Sequence, residues 1–537
     1  MKSSVVAVAA LLSIASVSSF ASRVDAKEAD AKEPDEIVEI VEDDEAKRPV
    51  KKPERAPEER PDQIAFRGFT RLTLAAGMAA REIAPAGAPS EERVGYDRGA
   101  LTTHTYLDVK YSRGKTFQAV LSGSLAYGGY LAESRPGYLG AERKLESGRV
   151  EPVLREAYVG IYGEHVDLRL GQQRIVWGAG GGLAPNDVLN ARDVRNRMQL
   201  DQEMIDLPTP AVRADFDLGV GILGVVVQPF FVPDRLSLYG GNWSLVQPDS
   251  PRSYRRLFGL YAEDRDRNHI DDAQAALVGA RSPSGPLDGA SIGASFKVHA
   301  GKLDTSFYYH WGRDRTPYIY LDPAFSRQLE IADPDKVDGL VFDAFQSQQK
   351  KAEAAYGGPL VIRYYRRHHV GFDATTTAGP LVLRADASYD TAMTFFSQGT
   401  LNSVARGAAQ GVVGMEYQRA LDKVISVEAW YMRLVGPEMR LVPVLDPANR
   451  GPLLFSDENN VGVASLVRWS FFENLVFETR SFVGVSPTWY MVRPEIGYNA
   501  PSFTVRVGLL LVDGERGSFG GVYGRNDTAY VTARHSF

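Results

Sequence analysis

The sequence predicts an all-β fold, a transmembrane antiparallel β-barrel of about 18 strands. Segments of about ten residues, in which apolar and polar side chains alternate, recur from residue 64 to Phe537. Very short and very long connections between these segments alternate along the chain. Short turns on one rim and long loops on the other are typical of bacterial outer-membrane barrels. An export signal at the start of the chain agrees with this fold class.

The first residues predict a secretory signal peptide. Lys2 is followed by the apolar stretch 5–17, and a small-residue cleavage site lies at 19–21. The next segment is rich in charges and prolines and poor in aromatic residues, so it is expected to be disordered in the periplasm. The predicted organisation is a signal peptide over 1–21, a disordered charged segment over 22–63 and the barrel over 64–537.

Composition excludes several classes of protein. The chain has no cysteine, which excludes disulfides, thiolate metal sites and a cysteine nucleophile. After the signal peptide no apolar run is long enough for a membrane-spanning helix. The net charge of −6, without a basic face, argues against a nucleic-acid partner.

Alternation read against turn signals predicts eighteen strands, and sixteen is the nearest alternative. An even number places both termini in the periplasm. The predicted strands lie near 64–77, 101–111, 115–129, 151–162, 165–177, 209–217, 220–231, 288–299, 302–311, 361–377, 380–390, 408–420, 423–434, 459–470, 474–484, 487–498, 502–512 and 525–537.

The same alternation predicts which charged side chains line the lumen. A charge on the lipid face at mid-membrane costs about 2–4 kcal/mol, so charges within strands are expected to face inward. The predicted pore-lining residues are Arg169, Arg213, Asp215, Arg384, Asp386, Arg480, Arg493, Glu495 and Arg506. Arginines outnumber carboxylates in this set, which favours polar or anionic solutes.

Tryptophans mark the predicted strand ends. Trp177, Trp311, Trp469 and Trp489 lie at or beside such ends, and Trp430 lies four residues from one. Because amphipathic rings prefer the level of the lipid headgroups, these residues predict an interfacial girdle.

The segment 168–217 holds the most distinctive motif. Its strand ends in Gln173-Arg-Ile-Val-Trp177-Gly178, and a glycine run leads to Asp187, Asn190 and Asp193. We expect a loop that folds back into the barrel, with the glycines permitting a tight reversal. Two interpretations remain open for the three polar residues: they cap backbone amides of their own loop, or they line a constriction.

This segment resembles a large, mostly uncharacterised family of proteobacterial outer-membrane porin-like barrels. In that family a strand ending Gly-(Arg/Gln)-Gln-x-x-x-Trp-Gly precedes an Asp-x-x-Asn-x-x-Asp loop, and the pattern is also similar to alginate-export-type porins. Gln172 and Ala191 depart from the commoner Arg and Pro. The last strand resembles the terminal signal read by the barrel assembly machinery, with Phe537 as its aromatic end and His535 as a departure. The resemblance implies the outer membrane of a Gram-negative bacterium.

Two further segments carry open alternatives. The long loop 313–360 predicts a helix over 340–356, which either plugs the lumen or rests on its mouth. A basic cluster of Arg363, Arg366, Arg367, His368 and His369 attracts anionic solutes or lipid phosphates, or is simply a solvated rim. The calcium-like run 264–268 lacks the glycine and glutamate of a calcium loop.

These observations favour a porin-like channel for passage or export of a small to medium polar or anionic solute. The alternative is a plugged structural barrel whose loops and tail bind partners; a rim enzyme is a weaker third. No nucleophile motif is present, so we expect no enzyme activity, no cofactor and no metal. The expected partners are outer-membrane lipid and lipopolysaccharide, the assembly machinery through Phe537, the solute and further copies of the chain.

Overall fold

Eighteen antiparallel strands form a closed barrel in the computed structural model. The structure describes residues 62–78, 99–130, 137–139, 150–179, 183–195, 202–239, 286–322, 360–398, 402–420, 423–439, 453–472 and 474–537, with a few single positions between them. The predicted signal peptide, the charged segment before residue 62, the calcium-like run and nearly all of the predicted loop helix lie outside the described residues.

Each barrel strand pairs with the next along the chain. The strands are β1 (Gln63–Gly77), β2 (Gly99–Arg113), β3 (Phe117–Tyr130), β4 (Val150–Tyr162), β5 (Val166–Gln173), β6 (Thr209–Asp217), β7 (Ile222–Gln228), β8 (Ser291–Ala300), β9 (Leu303–Arg313), β10 (Arg366–Ala378), β11 (Leu381–Ser397), β12 (Ser403–Ala420), β13 (Lys423–Met439), β14 (Asn459–Phe471), β15 (Leu475–Ser486), β16 (Trp489–Asn499), β17 (Phe503–Gly514) and β18 (Thr528–Ser536).

Short elements accompany the barrel. Leu453–Leu454 adds a nineteenth strand that pairs with the end of β11. Three two-stranded ribbons join Gly137–Leu139 to Leu236–Tyr239, Tyr318–Leu321 to Leu360–Arg363, and Ala191–Arg192 to Asp206–Leu207. Helical turns among the described residues include Gln202–Ile205, Pro286–Gly289 and Phe519–Tyr523. In the described ranges, no helix has the length and apolar character needed to cross a membrane.

The barrel closes where β18 meets β1. Register runs from Phe69 opposite Ser536 to Gly77 opposite Thr528. The terminal Phe537 continues this seam, because its backbone exchanges two hydrogen bonds with Gly68, of 2.8 and 3.0 Å. A closed ladder satisfies the backbone groups that an open sheet edge would leave unpaired.

The two faces of the wall differ in polarity. On β11, Leu383 and Tyr389 are exposed on the outside, whereas Asp386 and Asp390 are buried on the inside. Exposed Leu, Ile, Val and Phe side chains recur on the outer face of strands around the barrel. This apolar exterior and polar interior are the arrangement of a membrane barrel, so the predicted fold class is confirmed.

Strand ends differ from the prediction at several places. The strand predicted over 165–177 ends at Gln173, because the chain then turns into the lumen. The strand predicted over 361–377 is divided, with 360–363 in a separate ribbon and β10 beginning at Arg366. β11, β12 and β13 extend beyond their predicted ends, because their extensions continue to pair with each other.

Only two of the five predicted girdle tryptophans share the outer face. Trp311 and Trp469 lie on that face of β9 and β14, where Arg366 stands 4.4 Å from the first ring and Lys423 5.9 Å from the second. Such pairs hold a cation beside an amphipathic ring. These two residues therefore occupy positions suited to the girdle.

The other three tryptophans face inward. Trp177 is only 3% exposed, and its ring stacks on Tyr308 at 5.0 Å. Trp489 packs against Phe519 at 5.1 Å, and Trp430 shares the inner face of β13 with the buried Glu428. The girdle prediction is wrong for these residues, because segments folded into the barrel offer indole rings an alternative to the lipid interface.

Candidate functional site

Residues 174–179 and 183–190, here called the inner loop, leave the wall after β5. The Asn190 side chain takes the place of a neighbouring strand: its Oδ1 accepts the Ile175 N–H at 3.1 Å, and its Nδ2 donates to the Ile175 carbonyl at 2.8 Å. The Arg174 N–H donates to Glu156 Oε1 at 3.0 Å. These side-chain bonds satisfy backbone groups that would otherwise need a strand partner, so β5 ends here.

The inner loop is anchored by an apolar cluster on the inner wall. The cluster consists of Ile175, Trp177, Val188, Leu189, Ala211, Val226 and Tyr308. Burying one such large side chain contributes about 1.5–3 kcal/mol. Gly293 of β8 makes room for the indole, since a Cβ there would lie 2.7 Å from Trp177 Cη2.

From this anchor the inner loop crosses the lumen. The Ala179 N–H donates to Asp386 of β11 at 3.2 Å, and the Leu183 N–H donates to Glu428 of β13 at 3.1 Å. Gly178, with a φ of +97°, supplies the turn between the anchor and the crossing. β13 is the eighth strand after β5 in a ring of eighteen. The inner loop therefore reaches almost to the opposite wall.

Asn186 fastens the inner loop to β10 and β11. Its Nδ2 donates to the carbonyls of Phe372 at 3.1 Å and Ala387 at 3.3 Å, and also to the Asp386 carboxylate. The side chain occupies space that opens at Gly371, where a Cβ would overlap the Asn186 amide. The motif analysis missed Asn186; its place beside Asp187, within a loop expected to fold inward, was the available signal.

His369 extends this contact to the next carboxylate. Its Nε2 lies 3.1 Å from Asn186 Oδ1, and its Nδ1 lies 3.1 Å from Asp390 Oδ1. Arg367 on the same face stands 3.2 Å from Asp390. The basic cluster expected at the rim is thus divided by strand alternation: Arg367 and His369 are buried inside, whereas His368 is exposed.

The predicted loop-motif residues lie in and beside the inner loop. Gln173 donates to the Ala211 carbonyl at 3.1 Å, and Asn190 Nδ2 lies 3.3 Å from Asp187 Oδ1. Asp187 is 3.5 Å from Arg192. Burial raises the pKa of Asp187 to about 6, against the opposing effect of the Arg192 charge. These contacts brace the loop, and a selectivity role for the motif stays a prediction.

Asp193 belongs to a separate charged cluster beyond the inner loop. It pairs with Arg195 at 2.5 Å and with Arg235 at 3.6 Å, and both arginines also contact Glu151. Burial raises the pKa of Asp193, but these arginines outweigh it and the net shift is downward. Sequence spacing placed Asp193 with Asp187 and Asn190; the structure gives it different partners.

All nine predicted pore-lining side chains lie on the inner face of their strands. Arg213 pairs with Asp215 at 2.8 Å, and Arg384 pairs with Glu416 at 2.7 Å. Arg169 stands 5.6 Å from the ring of Tyr162. These contacts leave one side of the wall largely charge-balanced, and conduction past these residues stays a prediction.

On another part of the inner wall, four of the predicted pore-lining residues form a charged cluster with two residues that the prediction did not include. Arg468, Arg480, Arg493, Arg506, Glu478 and Glu495, here called the arginine cluster, span β14 to β17. Glu478 accepts from Arg468 and Arg480, each at 2.9 Å. Glu495 pairs with Arg493 at 2.5 Å and with Arg506 at 3.1 Å. Alternation within the predicted strands 459–470 and 474–484 contained the signal for the two missed residues. Within the described part of the chain, no set of His, Asp and Glu side chains is arranged to hold a metal ion.

Solved structures similar to this chain include three outer-membrane proteins. The outer membrane channel DcaP of Acinetobacter baumannii is 11% identical, with 90% of this chain and 100% of that chain covered and a TM-score of 0.39. OmpF of Salmonella typhi in complex with daunomycin is 11% identical, with 88% and 97% covered and a TM-score of 0.39. A triple mutant of the Rhodopseudomonas blastica porin is 9% identical, with 88% and 100% covered and a TM-score of 0.34.

No curated protein matches the sequence. A family model described as a protein of unknown function, DUF1302, matches residues 5–466, which is well over half of the chain. The chain therefore belongs to the DUF1302 family.

Proposed function

We propose that this protein is a channel in the outer membrane of a Gram-negative bacterium, for passage or export of a small to medium polar or anionic solute. The observation that carries the proposal is the inner loop, held across the lumen of a closed barrel by hydrogen bonds to the buried residues Asp386 and Glu428. A barrel of this size encloses more space than its own side chains fill. A loop fixed across that space narrows a path, as a selective channel requires.

The exterior supports a membrane location. Phe66, Leu121, Val413 and Ile496 are among many large apolar side chains exposed on the outer wall. A soluble protein rarely exposes contiguous apolar surface of this extent. In a bilayer the same surface is stabilised by contact with lipid tails.

The interior supports a polar solute. Arg213, Asp215, Arg384 and Glu416 form ion pairs on one side of the lumen, and the arginine cluster lies on another. Charged walls exclude apolar solutes and select by size and charge at a constriction.

Conductance in planar bilayers tests this function. Purified wild-type protein is expected to give discrete current steps, and Asn186→Ala, which releases the inner loop from β10 and β11, is expected to give larger ones. Folding of both proteins is checked by heat-dependent mobility in electrophoresis. Folded wild-type and Asn186→Ala proteins that both give no current would overturn the channel and favour a plugged interaction barrel.

A further inference from the structure

The arginine cluster is layered, with its carboxylates beneath its guanidinium groups. The side chains of Glu478 and Glu495 are 4% and 3% exposed. Those of Arg468, Arg480 and Arg506 are 34%, 27% and 28% exposed. A solute in the lumen therefore meets guanidinium groups, although the ion pairs neutralise part of their charge.

Positive charge exceeds negative charge in the arginine cluster. Four arginines and two glutamates leave a net charge of +2. This excess of positive charge favours a negatively charged group beside the partly exposed guanidinium groups.

The layout of the cluster across the strands is fixed. Arg480 lies directly opposite Arg493 on the neighbouring strand, and Glu478 lies directly opposite Glu495. Like charges in opposite positions destabilise a sheet, and the ion pairs along each strand, Arg480 with Glu478 and Arg493 with Glu495, offset this cost. Tyr530 adds to the support, because its hydroxyl donates to Glu495 at 2.5 Å and Arg493 Nε lies 2.8 Å from it. The guanidinium groups are therefore held in place before any solute arrives.

Basic residues continue from this cluster towards the seam of the barrel. Arg534 of β18 stands 4.0 Å from the ring of Phe69, and it lies opposite Arg71 of β1 in the register. Both arginines share the inner face with the buried Tyr530 and Phe69. The positive surface therefore extends over adjacent strands from β14 to β1.

We infer that the arginine cluster is an oxyanion-binding site, which takes the carboxylate or phosphate group of the solute. This inference rests on the proposed channel function and specifies its substrate class. Planar guanidinium groups bind both kinds of oxyanion with paired hydrogen bonds, whereas chloride offers no such fork to match. Glu478 and Glu495 act as positioning residues that orient the arginines from beneath.

Anion block of the chloride current tests the site. Benzoate and inorganic phosphate are added separately to wild-type channels in potassium chloride, and ion selectivity is read from the reversal potential across a salt gradient. Wild type is expected to be anion-selective and to be blocked by at least one of the two anions. Block by benzoate alone identifies a carboxylate site and block by phosphate alone a phosphate site; a cation-selective channel that neither anion blocks overturns the inference.

Arg480→Gln is the informative variant, because Glu478 keeps Arg468 and Arg506 as partners. Loss of one guanidinium is expected to raise the half-blocking concentration about tenfold. Arg480→Lys keeps the positive charge but lacks the planar guanidinium group. Its half-blocking concentration is expected to lie between those of wild type and Arg480→Gln. Lys423→Gln removes one positive charge from the outer face and serves as the control. Equal block in Arg480→Gln and Lys423→Gln overturns the site.

Calorimetric titration of the detergent-solubilised protein with the same two anions separates this inference from the channel function. Binding that weakens in Arg480→Gln, but not in Lys423→Gln, supports the site whether or not the bilayer shows current. Absence of current with such binding overturns only the channel. Current without binding of either anion overturns only the site.

Discussion

Asn186 of the inner loop occupies the space that a side chain at position 371 would need, because Gly371 leaves the inner face of β10 open at that point. The amide then bonds two backbone carbonyls of the wall. A strand glycine often marks a close approach of another segment, and here that segment is the inner loop.

Replacing this glycine tests the contact. Gly371→Ala is expected to displace the inner loop, to raise single-channel conductance and to cost about 1–3 kcal/mol of stability through overpacking. Unfolding in urea and bilayer recording measure the two effects. Gly411→Ala is the matched control, since its Cβ would have its nearest neighbour at 4.0 Å. Equal stability and equal conductance of Gly371→Ala and Gly411→Ala would show that the contact between Asn186 and Gly371 does not stabilise the inner loop.

The indole at the base of the inner loop should carry much of its stability. Trp177→Ala removes a buried ring stacked on Tyr308, and such truncations cost about 3–5 kcal/mol. Urea unfolding measures the cost, and protease sensitivity within the inner loop reports its release. Trp469→Ala, on the outer face, is expected to leave protease sensitivity unchanged; release of the loop in that variant would contradict the assignment.

Stability should fall with rising pH between about 4 and 6 through Asp187. Its folded pKa of about 6 lies above the unfolded value near 3.9, so the folded state binds the proton more tightly over this interval. Stability is greatest below that interval and decreases as the carboxyl ionises. Urea midpoints across this range are expected to slope less steeply in Asp187→Asn. An identical slope in both proteins would assign the pH dependence to other groups.

Removing a buried carboxylate from the arginine cluster should raise anion selectivity, whereas removing an arginine should lower it. Glu478→Gln raises the net charge of the arginine cluster by one, so anion selectivity is expected to increase. The reversal potential in a salt gradient measures the change. Glu458→Gln is the control, because that side chain is 58% exposed at the end of another ion pair. A shift towards cations in Glu478→Gln would contradict the layering of the cluster.

Phe537 should matter for assembly more than for folding. Phe537→Ala retains the eighteen strand pairings, so refolding in detergent is expected to succeed. If Phe537 is read by the assembly machinery, outer-membrane levels in cells drop severalfold. Phe472→Ala, an exposed aromatic in a short turn, is the control. Normal outer-membrane levels of Phe537→Ala would show that the assembly machinery does not recognise this residue.

Much of the wall follows from local pattern. Side chains alternate with a period of two, and turn residues limit each strand, so the sequence contains both the strand number and the face of residues such as Arg480 and Asp386. These features depend on neighbours a few residues apart. For this reason the alternation of short and long connections was sufficient to predict the closed barrel.

The interior was decided by contacts between residues distant in sequence. Alternation assigns Trp177 to a strand end, but its burial depends on Gly293 of β8 and Tyr308 of β9, which lie three and four strands further along the wall. Likewise, alternation places Glu478 and Arg480 on one face without showing that the carboxylate lies beneath the guanidinium. The burial depth of a side chain and the choice of its partners depend on how several strands and loops pack together, whereas side-chain alternation and turn residues are local features. The sequence by itself therefore determined the barrel, and the tertiary structure decided which side chains fill and line it.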